Sequence, residues 1–224
     1  MTVITSATQQ LARHIVAIDY ENLPSNVIET AKWFLLDTFG TAWAGTNAPG
    51  AEELRRTVFA DCGDGAASVL ASSKKVPPGS AALLNGMYAG ALDYDGVYER
   101  GSVHPDIVTL PAALALAEAQ HASGQDFLTA LAIGNDIACR SGGAMAGNKG
   151  WFNTATHGVF GAAAAAAKLL DLDEEATAHG LGLAFVQASG TQQALVEKSV
   201  VKRMLSGLAA RAGVFAAQAA NNGI

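Results

Sequence analysis

The sequence predicts an all-α fold, a large helical domain with at most one small β-hairpin near residues 66–77. Three observations carry this. Apolar residues recur at helical spacing along most of the chain. Ala and Gly are abundant while aromatics make up only 7%, a mixture that lets helix axes approach closely. Only one short segment, Ala67–Ala71, reads as a strand bounded by turn residues. Half of the 224 residues are hydrophobic and the mean hydropathy is +0.22, so a sizeable core is available. No repeat of fixed period and no linker divides the chain, which is taken as one domain over residues 1–224.

Each element has a local justification. Ser6–Tyr20 has helical spacing through Leu11, Ile15, Val16 and Ile18. Leu23-Pro24-Ser25 is a start signal for a helix whose apolar face runs from Val27 to about Gly45. Thr46–Gly50 is a loop and Ala51–Ala60 a further helix. The Ala67–Ala71 strand is turned back by Ser72–Lys75 and ended by Pro77-Pro78. Pro78 to about Leu92 is helical. Ile107–His121 follows, with Pro111 predicting an irregular first turn or kink and Gly124 a stop. Gln125–Ala138 is a helix, and Gly-rich Ser141–Gly150 is expected to be a loop. Helices over Val159–Leu170 and Glu174–Ala188, a loop over Gly190–Val200 and a helix over Leu208–Asn221 complete the prediction.

Composition narrows the classes. A net charge of −6 and a pI near 5.3 argue against a nucleic-acid surface, which needs a basic stripe. A local cation cluster can still oppose that sign and bind a small anion. Cys62 and Cys139 fit no metal or disulfide pattern, so a reducing cytoplasm is expected. The N-terminus lacks a basic head followed by a long apolar run, so no signal peptide is expected. The Ala-rich run Gly158–Leu170 falls short of the roughly 20 apolar residues of a membrane span, and no membrane association is predicted. His, Asp and Cys do not recur at ligand intervals, so no metal centre is called for. Gly142, Gly143 and Gly147 follow no strand and form no dinucleotide fingerprint.

Charged residues are only 15% of the chain, yet they gather in Asn85–Pro111. Asp93 and Asp95 leave a small-residue helix and are followed by Arg100 and His104-Pro105. Where a helix unwinds, two such carboxylates can converge as a base and its orienting partner; alternatively they are solvated acids of a helix end, or a DxD-type Mg²⁺ site. His104 is poised to move protons near neutrality, or simply caps the next helix. Thr154, Thr156 and His157 precede the Ala-rich helix and offer an anion cradle or plain N-capping. Lys198, Lys202 and Arg203 form a basic turn suited to carboxylates or merely solvated. His14, His121 and His179 lie in helical stretches and are read as structural.

Five segments together resemble the MmgE/PrpD family: Leu35–Gly45 (LLDTFGTAWAG), Ser80–Asp95, His104–Gly124, His157–Glu175 and Val201–Gly213, in the family's order across almost the whole chain. The resemblance implies an N-terminal helical domain whose α/β lid domain is absent, so that the chain is expected to be a truncated form. It implies a lyase or isomerase that works next to a carboxylate of a small di- or tricarboxylic acid, with no cofactor. It also implies a homodimer, and a separate lid-domain chain is a further possible partner. By this likeness Asp93, His104 and His157 are the catalytic candidates, and Asp95, Arg100, Thr156, Lys202 and Arg203 the substrate-binding ones. Departures are visible. Gly96-Val97 stands where the family often has Asp-Thr, and the loop before His104 is one residue longer. Phe152 stands in the place of a family His that His157 could replace. Leu205 stands where the segment around Lys202 has another His. These differences leave the substrate open, and a non-catalytic helical dimerisation or ligand-binding module is the alternative.

Overall fold

The computed structural model describes residues 6–145, 147 and 149–224. In order these form α1 (Ala7–Ala17), a 3₁₀ turn (Tyr20–Asn22), α2 (Ser25–Gly45), α3 (Ala51–Asp61), β1 (Ala67–Ser68), β2 (Lys75–Val76), α4 (Pro78–Ala89), α5 (Asp106–Gln120), α6 (Gly124–Ala144), α7 (Asn153–Leu169), α8 (Glu174–Gln187), a short α9 (Gln193–Val196) and α10 (Val201–Asn221). The architecture is all-α with one two-stranded hairpin among the described residues, as predicted.

Short-range chemistry sets most boundaries. Ser6 and Gln9 form a reciprocal capping box at α1, and Ser123 and Asp126 another at α6. Asp173 caps α8, accepting from Ala176 N at 2.8 Å. Pro24 and Pro77 stand immediately before α2 and α4. Pro111 lies inside α5, which stays helical to Gln120 instead of breaking. That helix is ended by His121 in the left-handed region (φ 54°), and Gly124 opens α6 rather than closing α5.

Several expected loops are helical. α6 continues through Ser141–Ala144, because Gly142 and Gly143 pack closely on the 98–103 turn: a Cβ on Gly142 would run into the Val103 side chain, and one on Gly143 would crowd the Tyr98 ring. The rest of the expected Ser141–Gly150 loop includes positions 146 and 148, which lie outside the described residues, as do positions 1–5 of the expected leader-free N-terminus. α7 begins at Asn153 and α10 at Val201, both earlier than hydropathy suggested, and α9 interrupts the Gly190–Val200 loop. α4 ends at Ala89, short of Leu92, and α1 at Ala17.

The core lies where α10 packs along α4 and α7, with α5 and α6 against α7 and α8 against α10. Small residues set these distances. Ser206 Oγ donates to Gly86 O at 2.7 Å, and a Cβ on Gly207 would run into the Leu83 carbonyl. At the α6–α7 crossing a Cβ on Gly134 would lie 2.8 Å from Gly161 O. Ala162–Ala167 of α7 are all buried.

The hairpin pairs Ala67 with Val76 and Ser68 with Lys75, antiparallel. It is shorter than Ala67–Ala71 because Leu70 N donates instead to Asn85 Oδ1 at 3.0 Å, and Ala71 turns at φ 56°. Asn85 Nδ2 also donates to Ser68 O at 2.9 Å, so this buried amide fixes the hairpin to α4. No helix among the described residues is long and apolar enough to cross a membrane. Both cysteines are free.

Candidate functional site

Three segments converge at one end of the bundle. After α4 the chain leaves helical geometry, and Asp93 takes φ 55°, a conformation tolerated by Asp but rare for other side chains. Tyr98 and Val103 then bridge a tight turn, with Tyr98 N donating to Val103 O at 2.7 Å. The start of α7 anchors this turn: Asn153 Nδ2 donates to Gly101 O at 2.9 Å, and His104 N donates to Thr154 Oγ1 at 3.1 Å. The start of α10 supplies the facing wall. The result is an open cleft of about 540 Å³ whose lining includes Asp93, His104, Phe152, Leu195, Lys198, Lys202 and Arg203.

Its electrostatics suit an anion. Lys202 Nζ pairs with Asp93 and lies 5.8 Å from the centre of the Phe152 ring. Arg203 Nε donates to Ala91 O at 3.0 Å. The first turn of α10 thus carries two cations and no acid, against the usual preference of a helix N-terminus for negative charge. The helix end and the side chains add their positive fields at the cleft, and one exposed carboxylate, Asp93, opposes them.

His104 is backed by a carboxylate. Asp95 Oδ2 lies 2.8 Å from His104 Nδ1, with the Asp95 side chain 1% exposed and that of His104 30% exposed. The approach is that of an ion pair off the line of an aligned hydrogen bond, so both Asp95 oxygens and Nδ1 lack a well-aligned partner. The His104 pKa is raised, first by the Asp95 carboxylate at Nδ1, against the lowering by burial and by Lys202. Asp93 and Asp95 therefore point to different partners and do not form a DxD pair. Among the described residues no group of three or more His, Cys, Asp or Glu side chains is arranged to hold a metal ion.

Other candidates lie apart from the cleft. His157 is buried in α7, with Nδ1 2.7 Å from Ser141 Oγ and Nε2 3.3 Å from Met145 Sδ, and burial lowers its pKa. Phe152, not His157, faces the cleft. Thr156 Oγ1 lies 3.2 Å from Phe152 O and 3.3 Å from Ser189 O, holding the entry to α7. α7 starts at Asn153, so the amides of Ala155 and Thr156 already donate to Phe152 O at 3.0 and 3.1 Å, and neither threonine is the N-cap. Arg100 sits exposed at the tip of the 98–103 turn. His14 is structural, its Nε2 2.8 Å from Asp136 Oδ2.

A larger hollow of about 710 Å³ lies elsewhere, between Asp19, Glu21, Asp126, Asp171, His121 and Lys168. Its carboxylates outnumber its cations, so it repels the anion that the smaller cleft attracts. Sequence reasoning missed Leu195, and it also missed Asp106, a lone acid opening an apolar helix two residues after His104. That isolation in DIVTLPAALALA was the available signal.

The MmgE/PrpD N-terminal domain family model matches residues 9–224, and the chain belongs to the MmgE/PrpD family. It is similar to a cis-aconitate decarboxylase-like protein, oryM, of Aspergillus oryzae, at 33% identity over 97% of this chain and 47% of the relative. It is 29% identical to a cis-aconitate decarboxylase of Aspergillus terreus, over 98% of this chain and 46% of the relative. A human cis-aconitate decarboxylase is 27% identical over 96% and 46%. The chain spans about half the length of the curated relatives it matches.

Proposed function

We propose that the chain provides the helical part of a lyase or isomerase acting on a small di- or tricarboxylic acid. The observation that carries this is His104, backed by buried Asp95, facing a cleft whose opposite wall holds Lys202, Arg203 and Lys198. The names of the relatives agree with a tricarboxylate lyase. In this reading Lys202 and Arg203 hold a substrate carboxylate, displacing Asp93 from Lys202. The cations stabilise charge that grows on that carboxylate when a proton or CO₂ leaves the neighbouring carbon. His104 accepts or returns the proton, Asp95 stabilises its imidazolium, and Asp93 orients the site or acts as base. His157, turned to Ser141 and Met145, supports α7 rather than reacting. A lid completes the site and excludes water, supplied by further chain or by a separate lid-domain protein, and the working unit is a homodimer.

The test is a screen of di- and tricarboxylic acids against the full-length gene product in D₂O, read by NMR for exchange next to a carboxylate or loss of water or CO₂. Turnover of one acid is expected. Absence of exchange and turnover with every polycarboxylate would sink the reading. Lys202→Ala should raise KM and lower kcat, whereas His104→Ala should chiefly lower kcat, by about 10²-fold or more. Full activity in both variants would disprove the assignment.

A non-catalytic dimerisation or ligand-binding module is favoured by one observation: the cleft is open, with the Asp93 side chain 65% exposed. Calorimetric binding of a polycarboxylate by the full-length protein without turnover would select this second reading.

A further inference from the structure

The lining of the cleft divides by chemistry: Lys198, Lys202 and Arg203 are cationic, and Phe152, Ala194 and Leu195 are apolar. Backbone pairing brings the apolar residues to one place. Trp151 bridges Thr191 antiparallel, Phe152 N donates to Gly190 O at 2.8 Å, and Gln192 N donates to Gly150 O at 2.8 Å. The segment before α7 is thereby pinned to the segment before α9, and Phe152 and Ala194 both rest on the main core. α9 then closes in a Schellman motif. Ser199 N donates to Ala194 O at 2.9 Å and Lys198 N to Leu195 O at 3.1 Å, with Lys198 at φ 53°. That turn carries the chain directly from the apolar residues to the cations.

The apolar part of the lining offers little to a polar group. The amides of Phe152, Leu195, Lys198 and Ser199 all donate within the chain, and Ser199 Oγ accepts from Val201 N at 3.3 Å. The face of a phenyl ring carries negative charge density, which attracts a cation and repels a carboxylate. Lys202 Nζ, 5.8 Å from the centre of the Phe152 ring, is placed for that attraction. A further carboxylate laid against Phe152 would lose its water and find no donor in exchange. A hydrocarbon group laid there leaves water favourably.

We propose that the cleft takes a carboxylic acid bearing a hydrocarbon arm, its carboxylates on Lys198, Lys202 and Arg203 and the arm on Phe152, Ala194 and Leu195. Phe152 and Leu195 are then specificity-determining residues, selecting the substituent on the acid rather than performing its chemistry. The inference rests on the reading that these cations hold substrate carboxylates, and it narrows that reading to a substrate class. Its test reads binding, so it does not depend on which bond is broken.

The experiment is calorimetric titration of the full-length protein with succinate, butylsuccinate and hexylsuccinate. Affinity is expected to rise along the series, by about two- to fourfold for each methylene that reaches the apolar lining. Phe152→His and Leu195→Ser should each flatten this rise, whereas Phe152→Leu, which keeps the position apolar, should retain most of it. The readout is the ratio of hexylsuccinate to succinate affinity within each protein, which a general loss of stability does not move. Leu195 is 36% exposed, so its replacement tests the proposal even where Phe152→His does not fold. Equal affinity across the series in the wild type overturns the inference and means that another part of the protein covers the apolar lining. A rise that persists undiminished in the folded variants overturns it as well, as does absence of binding by all three acids. Failure of the enzymatic reading looks different: hexylsuccinate binds more tightly than succinate, yet no polycarboxylate is turned over.

Discussion

His104 and Asp95 make a pair whose ionisation should govern any chemistry at the cleft. With the His104 pKa raised, its imidazolium persists above the ordinary histidine value of 6.5. The kcat/KM profile of the proposed activity in the full-length protein should therefore inflect above pH 6.5, and Asp95→Asn should bring the inflection down; an unmoved profile would separate the pair from the reaction. Asp106, like His104, holds its proton more tightly in the folded protein, and this bears on stability. Its carboxyl ionises near 3.8 when unfolded and near 6 when folded, so the native state binds the extra proton. Stability from this group is complete below the lower value and is lost as pH rises to about 6. The difference of about 2 units corresponds to about 3 kcal/mol. Urea unfolding of Asp106→Asn against wild type should show the variant gaining up to about that much between pH 4 and pH 7. A pH-independent difference would mean that the carboxyl is not buried.

At the scale of elements, the α4–α10 crossing depends on Gly207 meeting the Leu83 carbonyl. Gly207→Ala should cost about 1–3 kcal/mol by overpacking, seen as a lower Tm, and should weaken substrate binding by shifting Lys202 and Arg203 on the same helix. An unchanged Tm would show that the crossing can relax. The helices themselves were legible because Pro24, Pro77, Ser123 and Asp173 mark their starts with local chemistry. The misread ends were those decided by packing. Gly142 and Gly143 look like loop residues, yet they stay helical because α6 must press against Gly101 and Tyr98. Asp93, His104, Lys202 and Arg203 were found from residue type and family resemblance and do line one cleft. His157 does not line that cleft, because helix phase turns it toward Ser141 of α6, which a local motif does not reveal. Asp106 was passed over because its significance comes from Asn135 across a helix interface.

Across the whole molecule, net charge and local charge differ in sign. The protein carries −6 overall, but its cleft gathers Lys198, Lys202 and Arg203. Binding of a polycarboxylate should therefore weaken as salt rises, measurable by calorimetry at two ionic strengths; indifference to salt would argue for a different ligand. The outer face of α2 is apolar, with Trp33 69%, Leu36 65% and Trp43 61% exposed. This face suits the proposed self-association. Trp33→Glu combined with Leu36→Glu should shift sedimentation from dimer to monomer. A wild-type monomer would rule the dimer out.

The left-handed backbone at Asp93 has an evolutionary consequence. Residues that fit φ 55° without strain are few, chiefly Gly, Asn and Asp. Asparagine and glycine are each one nucleotide away from an aspartate codon, and both keep the turn while discarding the charge that restrains Lys202. Drift at this position is thus channelled toward sequences that keep the turn but leave Lys202 without its acidic partner, a single base change away.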